Sequence, residues 1–416
     1  MDIKISSKNR VGGSGVLRMP GDKSISHRAL ILGAIADGIT EISGFLSGQD
    51  CLATARCLRA MGVVIEQEGD TARVYGQGKW GLKAPKDVLD VGNSGTTLRL
   101  LAGLLAGQRF DSVLDGDASI RRRPMDRVAA PLRLMGADIA GDFAPVRIRG
   151  RELNAIHYKM PINSAQVKSA VMLAGLYADG ITTVEEIGAG LTRNHTEKMM
   201  AHMDDGRGWL KGRKITVPGD FSSAAYFLAA GALFADENGL LIENVGANPT
   251  RTGFLDAMRT LGADIEVRNK RTWGGEDVGD IFVRRAGMLK GMTLDGDLVP
   301  RMIDEVPIFA VLALFADGVT EIRNASELAV KESNRITAMA NELNKMGALI
   351  KPLADGMIIT GNRPLHGAVV DSHSDHRVAM ALAIAAMGAN GDTIIKGAEC
   401  VDVSFPGFID VLMSSC

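Results

Sequence analysis

Residues 20–28 read Pro-Gly-Asp-Lys-Ser-Ile-Ser-His-Arg and lead into a segment of small and apolar residues. Asp is a favoured helix N-cap, so the stretch predicts a loop, a cap at Asp22 and a buried helix. The first turn of that helix carries Lys23, Ser24 and Arg28. Because a helix start gathers unpaired backbone N–H groups and the positive end of the helix dipole, these residues indicate an anion site.

The same pattern recurs along the chain. An Asp or Asn at a candidate capping position precedes an Ala-, Leu- or Gly-rich segment six times, at Asp22, Asn93, Asn163, Asp220, Asp304 and Asp375. The spacings are 71, 70, 57, 84 and 71 residues. Recurrence at a nearly fixed period indicates repeated structural units, so six copies of one unit are predicted.

Each unit is predicted to contain a buried helix, a short strand, a second helix and return strands. The buried helices are predicted at 30–36, 98–106, 167–178, 224–234, 308–316 and 378–387. Three of them end in Ala-Asp-Gly, and four of the second, amphipathic helices end in Met-Gly or Leu-Gly, which are typical C-terminal stops. The third unit is short by about a hairpin, either because it is truncated or because residues are missing.

Two near copies of Pro-Gly-Asp, at 20–22 and 218–220, bracket the first three units. We interpret them as two hinge crossings, so that 21–219 forms one lobe and 1–20 with 220–416 forms the other. The last unit has no return strands after its second helix, and 3–5 and 16–19 are expected to supply them. The predicted fold class is therefore α/β, with two lobes of three repeats each.

Composition excludes several classes of function. The 416 residues carry a net charge of −2, which gives no global basic field for nucleic acid or a membrane surface. Apolar runs are too short to span a bilayer, and the N-terminus lacks signal-peptide character, so we expect a cytoplasmic protein. Cys51, Cys57, Cys400 and Cys416 show no metal-binding spacing and are expected to be free thiols. Neither a metal site nor a cofactor is predicted.

Cationic residues lie at equivalent places in the units. If the buried helices of each lobe are parallel, their starts share a face, and facing lobes would aim six helix starts at one cleft. The candidate cations for such an anion site are Lys23, Arg28, Arg99, Arg123, Lys168, Arg193, Lys331, Arg335, His376 and Arg377. Any one of these residues can equally be a solvated surface residue. However, the whole set is predicted to lie on one face, and this placement favours the anion site.

Polar residues at the predicted helix starts have alternative roles. Asp304 can be a simple N-cap, or a carboxylate that takes a proton from a bound hydroxyl group. Asp375 is interpreted as a cap alone. Ser24, Ser164 and Gln166 suit ligand oxygens, although capping explains the serines equally well.

Seven motifs carry a family resemblance over nearly the whole chain. They are Pro-Gly-Asp-Lys-Ser-Ile-Ser-His-Arg (20–28), Gly-Asn-Ser-Gly-Thr-Thr-Leu-Arg (92–99), Arg-Arg-Pro-Met (122–125), Ser-Ala-Gln-Val-Lys-Ser-Ala (164–170), Val-Lys-Glu-Ser-Asn-Arg (330–335), Asp-His-Arg (375–377) and Ser-Phe-Pro (404–406). The chain resembles the bacterial 5-enolpyruvylshikimate-3-phosphate synthases (3-phosphoshikimate 1-carboxyvinyltransferases). The family fold is two inside-out α/β barrel-like lobes, each with three repeats. The resemblance implies a monomeric transferase of the shikimate pathway, which leads through chorismate to the aromatic amino acids.

The resemblance also implies roles for individual residues. Shikimate-3-phosphate would meet Lys23, Ser24, Arg28, Ser164, Ala165, Gln166, Arg193, Asp304 and Lys331. Phosphoenolpyruvate would meet Lys23, Gly95, Arg123, Gln166, Arg335 and Arg377. Ala165 stands where some members have serine, so only its backbone N–H can serve the phosphate. Val403 stands where some members have a lysine that contacts phosphoenolpyruvate, which places more of that task on Arg123 or Arg377.

The implied reaction needs no metal or cofactor. Asp304 takes the proton of the acceptor's 5-hydroxyl group as that oxygen attacks the enol, Glu332 or Lys23 protonates the methylene carbon, and phosphate leaves. Gly95 implies inhibition by glyphosate, as in family members with glycine at this position. Two alternatives stay open: the sister enzyme that transfers enolpyruvyl to a UDP-amino sugar with a loop cysteine, and a sensor that binds phosphorylated metabolites without turnover.

Overall fold

The protein is described here by a computed structural model that covers residues 1–6, 15–188 and 191–414. It divides into two compact units. One unit, the N-terminal unit, comprises Gly21–Pro218 with Thr272–Glu276, and the other, the C-terminal unit, comprises Met1–Pro20, Gly219–Arg271 and Asp277–Cys416. The grouping of Thr272–Glu276 differs from the predicted boundaries, which placed all of 220–416 in one lobe.

The helices of both units follow the predicted alternation. They are α1 Lys23–Ile35, α2 Gln49–Ala60, α3 Gly95–Ala106, α4 Asp126–Leu134, α5 Ala165–Gly175, α6 His195–Met203, α7 Phe221–Phe234, α8 Gly253–Leu261, α9 Leu298–Met302, α10 Val306–Leu314, α11 Arg335–Lys345, α12 His376–Met387 and α13 Phe408–Ser414. Short 3-10 helices cover Ile120–Arg122, Ser326–Val330 and Ala398–Val403.

The strands between them are short. They are β1 Ile3–Ser6, β2 Val16–Arg18, β3 Ile39–Ser43, β4 Val64–Glu68, β5 Thr71–Tyr75, β6 Leu89–Asp90, β7 Ser112–Asp115, β8 Asp138–Ala140, β9 Val146–Arg149, β10 Leu153–Asn154, β11 His157–Lys159, β12 Ala178–Asp179, β13 Thr183–Glu185, β14 Lys214–Thr216, β15 Leu240–Gly246, β16 Ile265–Trp273, β17 Glu276–Val283, β18 Thr293–Leu294, β19 Val319–Ile322, β20 Leu349–Leu353, β21 Gly356–Thr360, β22 Val369–Asp371 and β23 Asp392–Lys396. Helices therefore alternate with strands throughout, as the repeat pattern predicted.

Four-stranded sheets combine strands of neighbouring repeats. The N-terminal unit contains the orders β14-β3-β5-β4 and β6-β7-β9-β8, and the C-terminal unit contains β16-β17-β15-β2 and β18-β19-β21-β20. In the first two, β14 from the end of the third repeat pairs in parallel with β3, and β6 from the end of the first repeat pairs in parallel with β7, while the hairpin strands pair antiparallel. The repeats of a unit are thus linked by shared sheets as well as by a common core.

The two N-terminal strands were only partly predicted correctly. As expected, β1 pairs with β23 of the last repeat, with Ile3 opposite Ile395. However, β2 pairs in parallel with β15 of the fourth repeat, with Leu17 opposite Ile242, and not with the sixth. The parallel partner of β23 is instead β22.

The third repeat departs from the others, as its short spacing indicated. It contributes two parallel pairs, β10 with β12 and β11 with β13. After α6 the chain turns tightly between Asp204 and Leu210, and Asp205 accepts hydrogen bonds from the backbone N–H groups of Arg207 and Trp209. It then continues into β14, which completes the sheet of the first repeat.

The first helix of each repeat lies in a hydrophobic core. All twelve residues of α12 and all nine of α10 are buried, and α1, α3 and α7 are buried nearly all round. Helices that are apolar on every side are core helices, and here small residues let them approach closely. The glycine of each Ala-Asp-Gly stop has a positive φ of 90° to 97°, as a left-handed C-terminal stop requires (Gly38, Gly180 and Gly318).

Three of the six predicted N-caps are confirmed and three are wrong. Asp22, Asp220 and Asp375 each accept a hydrogen bond from a backbone N–H in the first turn of their helix. The caps of α3 and α5 are instead Ser94 and Ser164, each one residue after the predicted asparagine (Asn93 and Asn163). Asp304 does not cap α10, because that helix begins two residues later.

Gly103 of α3 provides a test of the close packing between buried helices. A methyl group at this position would lie 2.2 Å from the backbone oxygen of Ala170 in α5, so one helix must move. We expect Gly103→Ala to lower the free energy of unfolding by roughly 2–3 kcal/mol, which calorimetry would detect as a lower Tm. The control Gly33→Ala in α1 meets the side chain of Thr40 at 3.1 Å and should cost under about 1 kcal/mol. Equal effects of the two substitutions would contradict this account.

Candidate active site

Side chains from the starts of α1, α3 and α5 meet in the N-terminal unit. We name this group the Lys23 cluster, and it comprises Lys23, Arg28, Asp50, Gly95, Arg99, Arg123 and Gln166. Lys23 Nζ lies 3.1 Å from a carboxylate oxygen of Asp50, and the Lys23 side chain is 16% exposed. The cluster contains four cations and one carboxylate, Asp50, so it is suited to an anion.

Arg28 is held by hydroxyl groups. Its Nε donates to Thr196 Oγ1 and its Nη2 to Ser169 Oγ, both at 2.7 Å, and its Nη1 donates to the backbone oxygen of Ser24 at 2.9 Å. Burial lowers the pKa of Arg28 to about 10, although nearby carboxylates, Glu197 first, raise it in part. Arg193 is close enough to lower it further, so these two predicted binding residues are neighbours.

Gly95, the first residue of α3, lies against two guanidinium groups. A methyl group added to Gly95 would lie 2.9 Å from Nη1 of both Arg99 and Arg123. Arg99 Nη1 donates to Gln166 Oε1 at 2.7 Å, and Arg123 Nη2 donates to Asn93 Oδ1 at 2.8 Å. The structure thereby brings together three predicted phosphoenolpyruvate-binding residues, Gly95, Arg123 and Gln166. Ser164 and Ala165 directly precede Gln166 at the start of α5.

A chain of hydrogen-bonded hydroxyl groups lies next to the Lys23 cluster. His27 Nδ1 contacts Thr54 Oγ1, which contacts Thr97 Oγ1, which donates to Ser94 Oγ, each at 2.7 Å. His27 is fully buried, and burial lowers its pKa well below the usual value, with Lys23 and Arg28 adding to the effect. This histidine is therefore a neutral core residue.

In the C-terminal unit a second group surrounds Asp304. We name it the Asp304 cluster, and it comprises Asp304, Lys331, Glu332, Arg335, Asp375 and Arg377. Lys331 Nζ, Arg335 Nη1 and Arg377 Nη2 lie 3.9, 3.4 and 3.6 Å from the carboxylate oxygens of Asp304. The Asp304 side chain remains 15% exposed. Cations beside a carboxylate favour its ionised form, which is the form that can accept a proton.

Arg335 is almost enclosed by carboxylates. Its Nε and Nη2 donate to Asp375 at 2.8 and 3.1 Å, and its Nη2 also donates to Glu332 at 2.6 Å. Burial opposes the charge, but Asp375 and Glu332 outweigh it and raise the pKa of Arg335. The interpretation of Asp375 as a cap alone is therefore incomplete, because the same carboxylate caps α12 and fixes Arg335.

The pKa values of Lys331 and Arg377 shift in opposite directions. Desolvation lowers the pKa of Lys331, although Asp304 and other carboxylates partly restore it. Desolvation also opposes the charge of Arg377, but Asp304, Tyr226 and Glu305 outweigh it and raise its pKa. Arg377 thus stays charged, whereas Lys331 is the cation of this cluster that gives up its proton more readily.

Lys168, one of the candidate cations, and His195 both have carboxylate partners. Lys168 is 6% exposed and pairs with Glu186 and Glu197, both at 2.8 Å, so its inclusion among the anion-binding cations is wrong. His195 is buried and contacts Glu276 Oε1 at 2.8 Å, while Lys198 Nζ donates to the backbone oxygen of Gly275. These contacts explain why Thr272–Glu276 belongs to the N-terminal unit.

The sequence analysis missed Asp50 of the Lys23 cluster and several residues that adjoin the two clusters. Asp50 lies on a helix with no motif of its own, and Asn93 was taken for a cap. In the C-terminal unit, Glu305 lies 4.0 Å from Arg377, and Ser222 and Arg251 lie against Glu305. Their signal in the sequence is weak, because each is a single polar residue at a loop or helix start.

The described residues add two general observations. Across 1–6, 15–188 and 191–414, His, Cys, Asp and Glu side chains form no group of three or more that could hold a metal ion. None of the helices within these ranges is both long enough and apolar enough to cross a membrane. Cys416, one of the predicted free thiols, lies outside the described residues, whereas Cys51, Cys57 and Cys400 are not in disulfides.

Comparisons with known proteins all point to the same family. A family model described as EPSP synthase (3-phosphoshikimate 1-carboxyvinyltransferase) matches residues 8–412. The chain is 49% identical to the 3-phosphoshikimate 1-carboxyvinyltransferase of Desulforamulus reducens, covering 99% of each chain, and 51% identical to that of a Thermoanaerobacter species, covering 98% of each.

Solved structures agree with this result. An EPSP synthase from Acinetobacter baumannii is 43% identical, covers 98% of this chain and 96% of its own, and superposes with a TM-score of 0.84. The enolpyruvyl transferase NikO from Streptomyces tendae, at 18% identity and a TM-score of 0.77 over 99% of this chain and 96% of its own, shares the fold. The predicted fold class and the family resemblance are both confirmed. The chain belongs to the EPSP synthase (3-phosphoshikimate 1-carboxyvinyltransferase) family.

Proposed function

We propose that this chain transfers the enolpyruvyl group of phosphoenolpyruvate to the 5-hydroxyl group of shikimate-3-phosphate and releases phosphate, as a monomer in the cytoplasm. The observation that carries the proposal is the Asp304 carboxylate within 4 Å of three cations. Such a carboxylate is ionised and partly exposed, so it can accept the hydroxyl proton while the cations hold the anionic reactants.

The Lys23 cluster is proposed to bind phosphate and carboxylate groups. Lys23, Ser24, Arg28, Ser164, Ala165, Gln166 and Arg193 would bind shikimate-3-phosphate, and Lys23, Gly95, Arg123 and Gln166 would contact phosphoenolpyruvate. Two helix starts support this role, since α1 and α5 present backbone N–H groups and carry caps at Asp22 and Ser164. A planar guanidinium group can also donate two parallel hydrogen bonds to the oxygens of one phosphate group.

The Asp304 cluster is proposed to combine binding with proton transfer. Asp304 and Lys331 would contact shikimate-3-phosphate, while Arg335 and Arg377 would contact phosphoenolpyruvate. As the acceptor oxygen bonds to C2 of the enol, its proton passes to Asp304, and the electron pair of the double bond takes a proton at the methylene carbon from Glu332 or Lys23. Reversal of the methylene proton transfer re-forms the double bond and expels phosphate, and the proton held by Asp304 passes to the leaving phosphate.

The described cysteines count against the UDP-amino sugar alternative. Cys51 and Cys57 lie on α2 and are buried, not in a loop. Burial raises the pKa of Cys57 to about 12 and that of Cys400 to about 11, which disfavours the reactive thiolate that the sister enzyme uses.

The proposed function is tested by phosphate release from phosphoenolpyruvate with each acceptor supplied separately. We expect turnover with shikimate-3-phosphate and none with UDP-N-acetylglucosamine. Turnover with the sugar nucleotide alone would establish the sister activity. Binding of shikimate-3-phosphate without phosphate release would favour a sensor.

Asp304→Asn tests the proposed base. The amide keeps the size of the side chain but cannot take the proton, so we expect kcat to fall by roughly 10² or more, while KM for each substrate changes by less than about tenfold. Steady-state kinetics with both substrates varied would measure this. A variant with the kcat of the parent chain would remove Asp304 from the role.

Gly95→Ala tests the contact between α3 and the two arginines. Because the clashing atoms are ends of flexible side chains, the guanidinium groups of Arg99 and Arg123 should move while the helix stays in place. We expect glyphosate to inhibit the parent chain. The variant should have a Ki for glyphosate and a KM for phosphoenolpyruvate that both rise by about tenfold or more, one decade being about 1.4 kcal/mol.

Inhibition curves and initial rates provide both values, with Gly33→Ala as a control that leaves these arginines in place. A rise in Ki with an unchanged KM for phosphoenolpyruvate would mean that Arg123 does not contact the substrate. Strong tolerance of the parent chain to glyphosate would contradict the expectation from Gly95.

A further inference from the structure

Glu305 directly follows the proposed base Asp304 but has a different environment. Its side chain is 1% exposed, against 15% for Asp304. Burying a carboxylate is costly unless it is paired and hydrogen-bonded, so its partners identify its role. They come from three other helix starts or loops of the C-terminal unit.

Two partners fix the Glu305 carboxylate on one side. Ser222 Oγ, in the first turn of α7, donates a hydrogen bond to Glu305 Oε1. Arg251 Nη2 donates in turn to Ser222 Oγ at 2.6 Å and lies 3.8 Å from Glu305 Oε1. Arg251 is 2% exposed, so this pair of charges is screened very little by water.

On its other side the carboxylate faces Arg377. Arg377 Nη1 lies 4.0 Å from Glu305 Oε1 and donates to the backbone oxygen of Asp304 at 3.1 Å. Nη2 of the same guanidinium lies 3.6 Å from the Asp304 carboxylate. Among the residues that the structure describes, Glu305 Oε2 has no hydrogen-bond partner, so this oxygen can still accept another N–H group.

We infer that Glu305 is a positioning residue that sets the orientation of Arg377 toward phosphoenolpyruvate, with Ser222 and Arg251 holding it in place. This inference rests on the proposed function. The two adjacent carboxylates then have separate tasks, because Asp304 acts on the acceptor proton and Glu305 orients the cation that receives the anionic donor. Glu305 itself touches no substrate.

Loss of the Glu305 charge has two opposing effects. The surroundings of Arg377 become more positive, which favours an anion. However, Arg251 and Arg377 lose the carboxylate that they share, and two buried cations without it repel each other. We expect the second effect to dominate, since paired contacts between guanidinium and phosphate depend on a fixed geometry.

Glu305→Gln therefore tests the inference, because the amide keeps the shape and an oxygen for Ser222 while it removes the charge. We expect KM for phosphoenolpyruvate to rise at least tenfold, with kcat within about threefold and KM for shikimate-3-phosphate within about twofold of the parent values. Glu305→Asp should recover part of the loss. Ser222→Ala, which keeps the carboxylate but removes its hydrogen bond, should shift the same KM in the same direction.

The matched control is Glu342→Gln, another buried carboxylate of the same unit. Glu342 is 3% exposed, accepts hydrogen bonds from the backbone N–H of Asp371 and from Lys345, and belongs to neither cluster. Its substitution should lower Tm to a similar extent but leave every kinetic constant within about twofold. The same KM shift in Glu342→Gln, or an unchanged KM for phosphoenolpyruvate in Glu305→Gln and Ser222→Ala, would overturn the inference.

Calorimetric titration with phosphoenolpyruvate separates this inference from the proposed function. Absence of phosphate release by the parent chain would refute the function alone. The inference would then be judged by the Kd for phosphoenolpyruvate, which should be about tenfold weaker in Glu305→Gln than in Glu342→Gln. Equal Kd values for these two variants would refute it.

Discussion

Close packing of buried helices made from small residues is the constraint on which the candidate site depends. In the N-terminal unit, Gly103 of α3 lies against the backbone of Ala170 in α5, and no larger residue fits there. This approach brings the starts of the two helices so near that Arg99 and Gln166 form a direct hydrogen bond. A bulkier interface would separate these side chains, so packing in the core and geometry at the site have one cause.

The two clusters use charge in different ways. In the Lys23 cluster, cations outnumber carboxylates, and helix starts add partial positive charge. In the Asp304 cluster, three cations are matched by three carboxylates, and Arg335 shows the consequence: it is almost fully buried yet stays charged because Asp375 and Glu332 pair with it. An excess of positive charge suits binding of anions, whereas a balanced network suits fixed orientation and proton transfer.

The neighbours Asp304 and Glu305 illustrate how one loop places two carboxylates in different environments. One carboxylate is partly exposed among cations, and the other is buried against Ser222 and Arg251. Adjacent residues at a helix start point in different directions, so the same turn can present one group to a ligand and another to the core. When two acidic residues precede a buried helix, the role of each residue therefore has to be interpreted separately.

The sequence by itself determined the repeat, the alternation of helices and strands, and the buried helices, and it indicated many residues of the two clusters. These features follow from local patterns, since capping residues, glycine stops and apolar periodicity act over a few neighbouring residues. The sequence did not determine which residue caps α3, because Asn93 and Ser94 are both good caps and only the position of Arg123 makes Asn93 its partner.

Only the tertiary structure decided which distant residues and strands pair with one another. Lys168 looked equivalent to the other cations, but Glu186 and Glu197 neutralise it, and both lie 18 or more residues away along the chain. The position of β2 beside β15 and the contact of Glu305 with Arg377 are likewise long-range. Local patterns specify what each segment is, whereas pairing between distant segments depends on how the whole core packs, and no short stretch of sequence encodes that.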